Sequence, residues 1–232
     1  MLLPRREVSR IEGFSDAVFG FALTLLVVSL EVPADYRALT ATMGAFLPFA
    51  VTFTIIVWIW FEHYLFFRKF GPEDGFTIFL NSVLLFVVLF FVYPLKFVFS
   101  SIIPMATGIG LSTARVGFQG MSADEARVLM MIYGGGFGTV FAVFALLHWN
   151  AYRQRAALGL DRLSTYNALA GMRTHSITVI VASASIALAA TLPARLVFVS
   201  GVMYSILGPI HAVNGYLIGR ARERLSVDNE IG

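Results

Sequence analysis

Six long apolar runs dominate the sequence, and short polar segments separate them. They cover approximately residues 14–32, 39–61, 76–99, 128–148, 176–192 and 196–217. A helix needs about 20 mainly apolar residues to cross about 30 Å of hydrocarbon, and each run is close to that length. The apolar residues are continuous and do not alternate with polar ones, so the pattern favours helices over membrane β-strands. The sequence therefore predicts an all-α integral membrane protein with six transmembrane helices in a single domain, residues 1–232.

The composition supports a lipid environment. Hydrophobic residues make up 58% of the chain and charged residues only 13%, whereas a soluble domain carries about 25% charged residues. The absence of cysteine excludes disulfide bonds and thiolate metal sites. The net charge of +3 does not indicate a nucleic-acid partner, because the basic residues are spread over the short segments between apolar runs. The lipid bilayer is therefore the expected surrounding.

The basic residues also predict an orientation, since cytoplasmic segments of membrane proteins are enriched in Lys and Arg. With six spans, 12 basic residues fall on one side and 5 on the other. The first group is Arg5, Arg6, Arg10, Arg68, Lys69, Arg153, Arg155, Arg162, Arg173, Arg220, Arg222 and Arg224, and the second is Arg37, Lys96, Arg115, Arg127 and Arg195. Both termini are therefore expected in the cytoplasm, with the chain crossing a cell membrane several times.

A few polar residues lie within or at the ends of the runs, where the bilayer penalises them. Asp16 begins the first run, Glu62 and His63 end the second, and Asn81 lies near the start of the third, all on the cytoplasmic side. They either form a polar cluster that joins three helices, with Arg10 as the counter-charge of Asp16, or each faces interfacial water.

No motif indicates catalysis or a bound cofactor. The sequence lacks a GxSxG nucleophile motif, a Walker phosphate loop and an HExxH zinc motif. The TVGYG filter of common potassium channels is also absent. We therefore expect neither an enzyme nor a metal site. A secondary transporter, coupled to protons through Asp16 or a histidine, remains an alternative to a channel, and an intramembrane enzyme is a weaker third reading.

One short motif resembles a known family. Arg10-Ile-Glu-Gly-Phe14-Ser15-Asp16 matches the pattern RxxxFSD and continues directly into an apolar helix. This resembles the signature of the endosomal and lysosomal potassium channel family called transmembrane protein 175, in its prokaryotic form. The residues Trp60-Phe61-Glu62-His63 and Asn81 are also similar to that family, as are the length and the six-span layout.

The resemblance implies a potassium-permeable channel of the prokaryotic plasma membrane that conducts monovalent cations passively. Such channels are homotetramers in which the first helix of each subunit lines a central pore, and their permeant K⁺ ions need no cofactor. The carried-over pore residues are Phe21, Leu25 and Val28 for an apolar constriction and Thr24 for a hydroxyl layer. The carried-over anchor residues, which hold this helix to its neighbours, are Arg10, Phe14, Ser15, Asp16, His63 and Asn81.

The spacing of residues agrees with part of this assignment. Phe21, Thr24 and Val28 share one helical face, and Glu31 continues it to the outer mouth, where an acidic ring would favour cations. Thr24 could instead hydrogen-bond the carbonyl oxygen of its own helix at Gly20, and Glu31 could be a solvated helix end. Family members commonly have isoleucine at the position of Phe21. The narrowest point is therefore expected at either Phe21 or Leu25.

Overall fold

The computed structural model describes residues 9–30, 32–71, 74–107, 121–193 and 196–231. These residues are helical with short connections, and no strand occurs among them. The long helices are α1 (Arg10–Val28), α3 (Phe46–Lys69), α4 (Gly75–Thr107), α5 (Ala123–Arg153) and α6 (Arg162–Thr191). In the described parts of the chain, these five are the helices that are long and apolar enough to cross a membrane. The predicted all-helical membrane class is therefore confirmed.

The predicted second run is divided between two helices. Its first residues belong to the short helix α2 (Tyr36–Gly44), and α3 begins at Phe46. Pro48 explains the break: it lacks the N–H that would bond to the carbonyl of Gly44, and its ring would collide with that carbonyl.

The predicted sixth run is also interrupted. The chain forms α7 (Phe198–Val202), then a 3₁₀ turn (Met203–Ile206), then α8 (Leu207–Ile231). Pro209 provides the reason, because its ring would collide with the carbonyl of Ser205 in a continuous α-helix. Among the described residues 196–231, no single helix meets the length and hydropathy of a span, and α8 continues into the charged C-terminal segment.

Two other helices are longer than their apolar runs. The helix α4 continues to Thr107, beyond the predicted apolar run that ends at about residue 99. The helix α6 begins 14 residues before the predicted span, where the Asp161 carboxylate caps the amide of Ser164. A capping box begins α5, where Ser122 and Glu125 bond reciprocally to each other's backbone amides.

The helices enclose one main apolar core. The helix α1 packs against α3 and α4, α4 packs against α5, and α5 lies along α6. Fully buried side chains from each helix meet there, including Phe19, Ile56, Leu84, Phe144 and Ala182. Because lipid is as apolar as these side chains, close packing and interhelical hydrogen bonds stabilise such a bundle. The helix α1 is thus held on one side and open on the other.

Candidate functional site

The helix α1 begins with a capping box. The Ser9 hydroxyl accepts from the amide of Glu12, and the Glu12 carboxylate accepts from the amide of Ser9 at 2.8 Å. These bonds satisfy amides that have no partner within the helix. The S-x-x-E pattern is readable in the sequence, although the sequence-based prediction did not include it. It fixes the first turn of α1, and so the position of the FSD motif that follows.

A chain of buried hydrogen bonds joins α1, α3 and α4. His63 Nε2 lies 2.9 Å from Asn81 Oδ1, Asn81 Nδ2 donates to Ser15 Oγ at 2.9 Å, and Ser15 Oγ donates to the carbonyl of Ile11. Ser15, His63 and Asn81 are 0%, 1% and 3% exposed. The His63 ring also packs between Phe19 and Phe67. The structure thus brings together three of the six predicted anchor residues, which are 18 and 66 positions apart.

Asp16 makes a different contact from the one predicted. Its carboxylate accepts from Trp60 Nε1 of α3 at 2.7 Å. Among the described residues, no ion pair joins it to Arg10, which is exposed. The two residues are six positions apart, or about 240° around the helix axis, so they point to different sides of α1. Phe14 is exposed and takes no part in the polar chain. The prediction of an Arg10–Asp16 ion pair is therefore wrong within one subunit.

Glu62 does not join the other polar residues either. It accepts a hydrogen bond from Trp58 Nε1 at 3.2 Å, and its second oxygen lies 3.9 Å from His175 Nε2 of α6. The expected cluster of Asp16, Glu62, His63 and Asn81 is therefore divided. His63 and Asn81 contact Ser15, while Asp16 and Glu62 each bind a tryptophan of α3. Trp58 and Trp60 are partners that sequence reasoning missed, because an indole N–H in an apolar run gives no signal of its own.

The pore candidates lie on the open side of α1. The buried residues Glu12, Ser15, Phe19, Ala22 and Leu26 define its packed face. At about 100° per residue, Thr24 and Val28 lie nearly opposite that face and Phe21 lies within about 60° of them. Val28 is 72% exposed, Phe21 is 55% exposed and Leu25 is half-buried. Glu31, the predicted outer-mouth residue, lies outside the described residues.

Thr24 forms the hydrogen bond to its own helix that the sequence analysis gave as an alternative. Its hydroxyl donates to the carbonyl of Gly20 at 2.9 Å. A hydroxyl has one proton and two acceptor lone pairs. With the proton directed at Gly20, the oxygen lone pairs stay available on the exposed face. The back-bond is therefore compatible with a cation-coordinating role.

The other end of α1 is also held by α4. Lys96 Nζ donates to the carbonyl of Ser29 at 2.8 Å and to Ser29 Oγ at 2.7 Å. Lys96 was predicted only as a basic residue of the outer side. Its contact follows from the packing of two helices, and no local sequence pattern indicates it.

A second polar centre joins α4 and α5. The Asp74 carboxylate caps the amides of Phe76 and Thr77 and accepts hydrogen bonds from Asn150 and Gln154. Burial alone would raise the pKa of Asp74, but the bonds from Gln154, Thr77 and Asn150 outweigh it and lower the pKa to about 2. An Asp directly before an apolar helical run is a readable N-cap signal, whereas the hydrogen bond between Asp74 and Asn150 has no signal in the local sequence.

A polar cavity of about 150 Å³ lies between α3, α5, α6 and α8. Its lining includes Glu62, Lys69, His148, His175 and Arg222. The rings of His148 and His175 lie 5.0 Å apart by their centroids. Over the described ranges, no three His, Asp or Glu side chains converge so as to hold a metal ion.

Comparison with known proteins identifies similar sequences. A family model described as endosomal/lysosomal potassium channel TMEM175 matches residues 10–91, from α1 into α4. A potassium channel from Marivirga tractuosa is 35% identical over 228 residues, which is 96% of this chain and 92% of that protein.

Two solved structures are similar in fold. A threonine-to-alanine variant of the potassium channel MtTMEM175, in complex with a nanobody–MBP fusion protein, superposes with a TM-score of 0.82 at 33% identity. The match covers 94% of this chain and 97% of that one. A lysosomal potassium-selective channel TMEM175 homologue from Chamaesiphon minutus superposes with a TM-score of 0.56 at 22% identity, covering 90% and 99%.

Proposed function

This chain belongs to the TMEM175 potassium channel family as a prokaryotic member, and on that premise we propose that its pore runs along the exposed face of α1 in a homotetramer. The protein is a potassium channel and not an enzyme. The observation that carries the pore proposal is the division of α1 into two faces. One face is buried on α3 and α4, and the opposite face presents Phe21, Thr24 and Val28.

The exposed face suits a cation pathway once four subunits surround it. A ring of Thr24 hydroxyls offers oxygen lone pairs that can replace part of the hydration shell of K⁺. The rings of Phe21 and Val28 are apolar, and narrow apolar segments exclude ions by dewetting. Leu25 is half-buried on the flank of this face, which favours Phe21 as the constriction. Glu31 continues the sequence toward the outer mouth and would add negative charge there.

We further propose that Ser15, His63 and Asn81 fix the rotation of α1 about its axis, so that its exposed face stays directed at the pore. The support is their mutual hydrogen bonding and near-complete burial. Asp16 is bound to Trp60 but remains exposed in the single chain. Together with Arg10 and Phe14, it is available to a neighbouring subunit.

Six crossings with both termini in the cytoplasm of a prokaryotic cell are part of the proposal. At the N-terminal end, Asp16 of α1 contacts Trp60, near the end of α3 that carries Lys69. At the C-terminal end, Arg222 Nε of α8 donates to Asn167 Oδ1, near the beginning of α6, at 2.6 Å. The first turns of α1 and the later part of α8 therefore belong to the end of the bundle that is rich in Lys and Arg, which supports a cytoplasmic location for both termini. The segment from α7 to α8 then provides the sixth crossing.

Single-channel recording of the purified protein in planar bilayers tests the pore. Unitary currents that follow the K⁺ gradient are expected, whereas a coupled transporter would give none. Phe21→Ala should widen the narrow point, so conductance should rise and discrimination between K⁺ and Na⁺ should fall. Leu25→Ala should have a smaller effect because Leu25 is half-buried.

Cysteine substitutions provide the control, since the chain has no cysteine of its own. Cysteines at Ala17, Phe21, Thr24 and Val28 should react with a permeant thiol reagent and block current. Cysteines at the buried positions Phe19 and Ala22 should not. A helix α1 on which no position affects the current would show that the pore lies elsewhere.

A further inference from the structure

The helix α1 is tied to α4 at both ends of its proposed pore segment. Ser15 pairs with Asn81 at one end, and Ser29 pairs with Lys96 at the other. Ser29 follows Ser15 by 14 residues and Lys96 follows Asn81 by 15. At 1.5 Å per residue these separations are about 21 and 22 Å, so two parallel helices meet at two matching points. The pore candidates lie between those points.

Lys96 is suited to hold the outer end of α1 because the last turn of that helix has no basic residue of its own. The last turn of α1 contains no basic residue, although the carbonyls at a helix C-terminus attract cations. The half-buried ammonium of Lys96 supplies that charge from α4 and donates to both the carbonyl and the hydroxyl of Ser29. The same hydroxyl donates to the carbonyl of Leu26 at 2.6 Å. The contact therefore closes the last turn as well as joining the helices.

We propose that Lys96 is a positioning residue for ion selection, which fixes the outer part of α1 and thereby the orientation of Thr24 and Val28. The proposal rests on the proposed pore along α1. Lys96 acts through Ser29 and not by contact with the ion. Without it, the outer end of α1 is released from α4, while the Asn81 contact still holds the inner end. The four Thr24 hydroxyls then lose their common geometry, and selectivity falls although the pore still conducts.

A buried cysteine on α1 reports this release directly. Leu26 is 0% exposed and its carbonyl bonds to Ser29, so Leu26→Cys should react slowly with a small thiol reagent. Lys96→Met removes both hydrogen bonds but keeps a long side chain. Charge-assisted bonds are strong enough to change a two-state population by about tenfold, so the modification rate should rise about tenfold. The K⁺/Na⁺ permeability ratio of Lys96→Met should fall in parallel.

Conservative and matched variants distinguish positioning from other effects. Lys96→Arg keeps donors for the Ser29 carbonyl and should restore both readouts. Arg37→Met removes an exposed cation from α2 at the same end of the bundle and should change neither. An effect of Lys96→Met that disappears at high salt would identify Lys96 as a surface charge, because salt screens such charges, and would overturn the proposal.

Two further results would also overturn the proposal. The first is a folded Lys96→Met channel in which either the reactivity of Leu26→Cys or the selectivity is unchanged. The second applies if Lys96→Met does not assemble: Ser29→Ala removes one of the two acceptors and should shift both readouts in the same direction by less, so an absence of any shift would overturn the proposal. Failure of the pore itself is distinguishable, since cysteines at Phe21, Thr24 and Val28 would then have no effect even beside an intact Lys96.

Discussion

Asn81 occupies a position that few other residues could fill. Its amide oxygen and nitrogen face two different helices, with His63 on one side and Ser15 on the other. Aspartate has no donor for Ser15, leucine has neither group, and glutamine is one methylene longer in a site that is almost fully buried. A polar side chain with a donor and an acceptor at this length is what the site requires.

We predict that Asn81→Ala destabilises the purified protein by about 1–3 kcal/mol, because it leaves Ser15 and His63 without their partner inside the bundle. The thermal unfolding midpoint in detergent measures this. Ser82→Ala is the matched control: Ser82 is adjacent on α4, exposed and bonded only within its own helix. Equal midpoints for the two variants would contradict an anchoring role.

We predict that Thr24→Val weakens selectivity while leaving the pore width unchanged. Valine has nearly the shape of threonine but lacks the oxygen that the exposed face presents. The reversal potential under bi-ionic K⁺ and Na⁺ should move toward zero, and the single-channel conductance should change little. Thr54→Val on α3 serves as the control, because Thr54 is also exposed and back-bonded in its helix. An unchanged reversal potential for Thr24→Val would rule out a selectivity role.

At the scale of the helices, small residues control how closely α5 approaches its neighbours. A Cβ at Gly134 would lie 2.7 Å from Ile186 of α6, and Gly138 faces Ala182 of α6. On another side of α5, a Cβ at Gly136 would collide with the ring of Phe91 in α4. Gly134 and Gly138, one turn apart on α5, therefore allow close packing against α6. Small side chains allow this approach, which the hydrophobic effect does not drive in lipid.

Adjacent glycines on α5 allow a matched test of this packing. Gly136→Ala should destabilise the protein by about 1–3 kcal/mol, because the ring of the buried Phe91 must move. Gly135→Ala should be neutral or slightly stabilising, since a Cβ at that position would have no neighbour within 4 Å and alanine favours a helix. Thermal unfolding of both variants decides the matter, and equal effects would argue against close packing at Gly136.

The connection between α3 and α4 predicts a dependence of stability on pH. The pKa of Asp74 is lowered to about 2 from an ordinary value of 3.8. Its ionised form therefore stabilises the folded state above about pH 4, and this contribution is lost as pH falls toward 2. After allowance for solvent screening we expect about 1–2 kcal/mol. The stability difference between the wild type and Asp74→Asn should shrink over that range; a constant difference would contradict the prediction.

For the whole molecule, the distribution of charge and the path of the chain point to one topology. The basic residues at the ends of α3 and α5 lie at the same end of the bundle as Arg222. Lys96, Arg127 and Arg37 belong to the other end, where Lys96 and Arg127 bond to the carbonyls that end α1 and α6. One end of the bundle therefore carries many basic residues, and we propose that it faces the cytoplasm; at the opposite end, Lys96 and Arg127 bond to helix termini.

Labelling of introduced cysteines in intact cells tests the topology. Cysteines at Arg155 and Arg224 should be protected from a membrane-impermeant reagent, because both positions are expected in the cytoplasm. A cysteine at Arg37 should react. A reactive cysteine at Arg224 would mean that the segment from α7 to α8 does not cross the membrane, and would replace the six-span arrangement with five crossings.

The sequence by itself determined the helical membrane class, five of the spans and the family motif at the start of α1, and its S-x-x-E patterns specify the capping boxes of α1 and α5. These depend on local patterns: consecutive apolar residues, side chains that bond their own backbone, and a short run of specific residues. The interruption at Pro209 also has a local cause, since a proline within an apolar run disfavours a continuous helix. Positions along the membrane normal were predictable for the same reason, since Asp16, His63 and Asn81 had to lie at one depth.

Only the tertiary structure decided which residues meet at that depth. Apolar runs specify how far along the membrane normal a residue lies, but not how each helix is rotated or which helix lies beside it. For this reason Asp16 binds Trp60 and not Arg10, and Glu62 lies near His175 and not beside Asn81. The contacts of Lys96 with Ser29 and of Asn150 with Asp74 join residues 67 and 76 positions apart. Such pairs depend on helix rotation and packing, which the whole chain determines together.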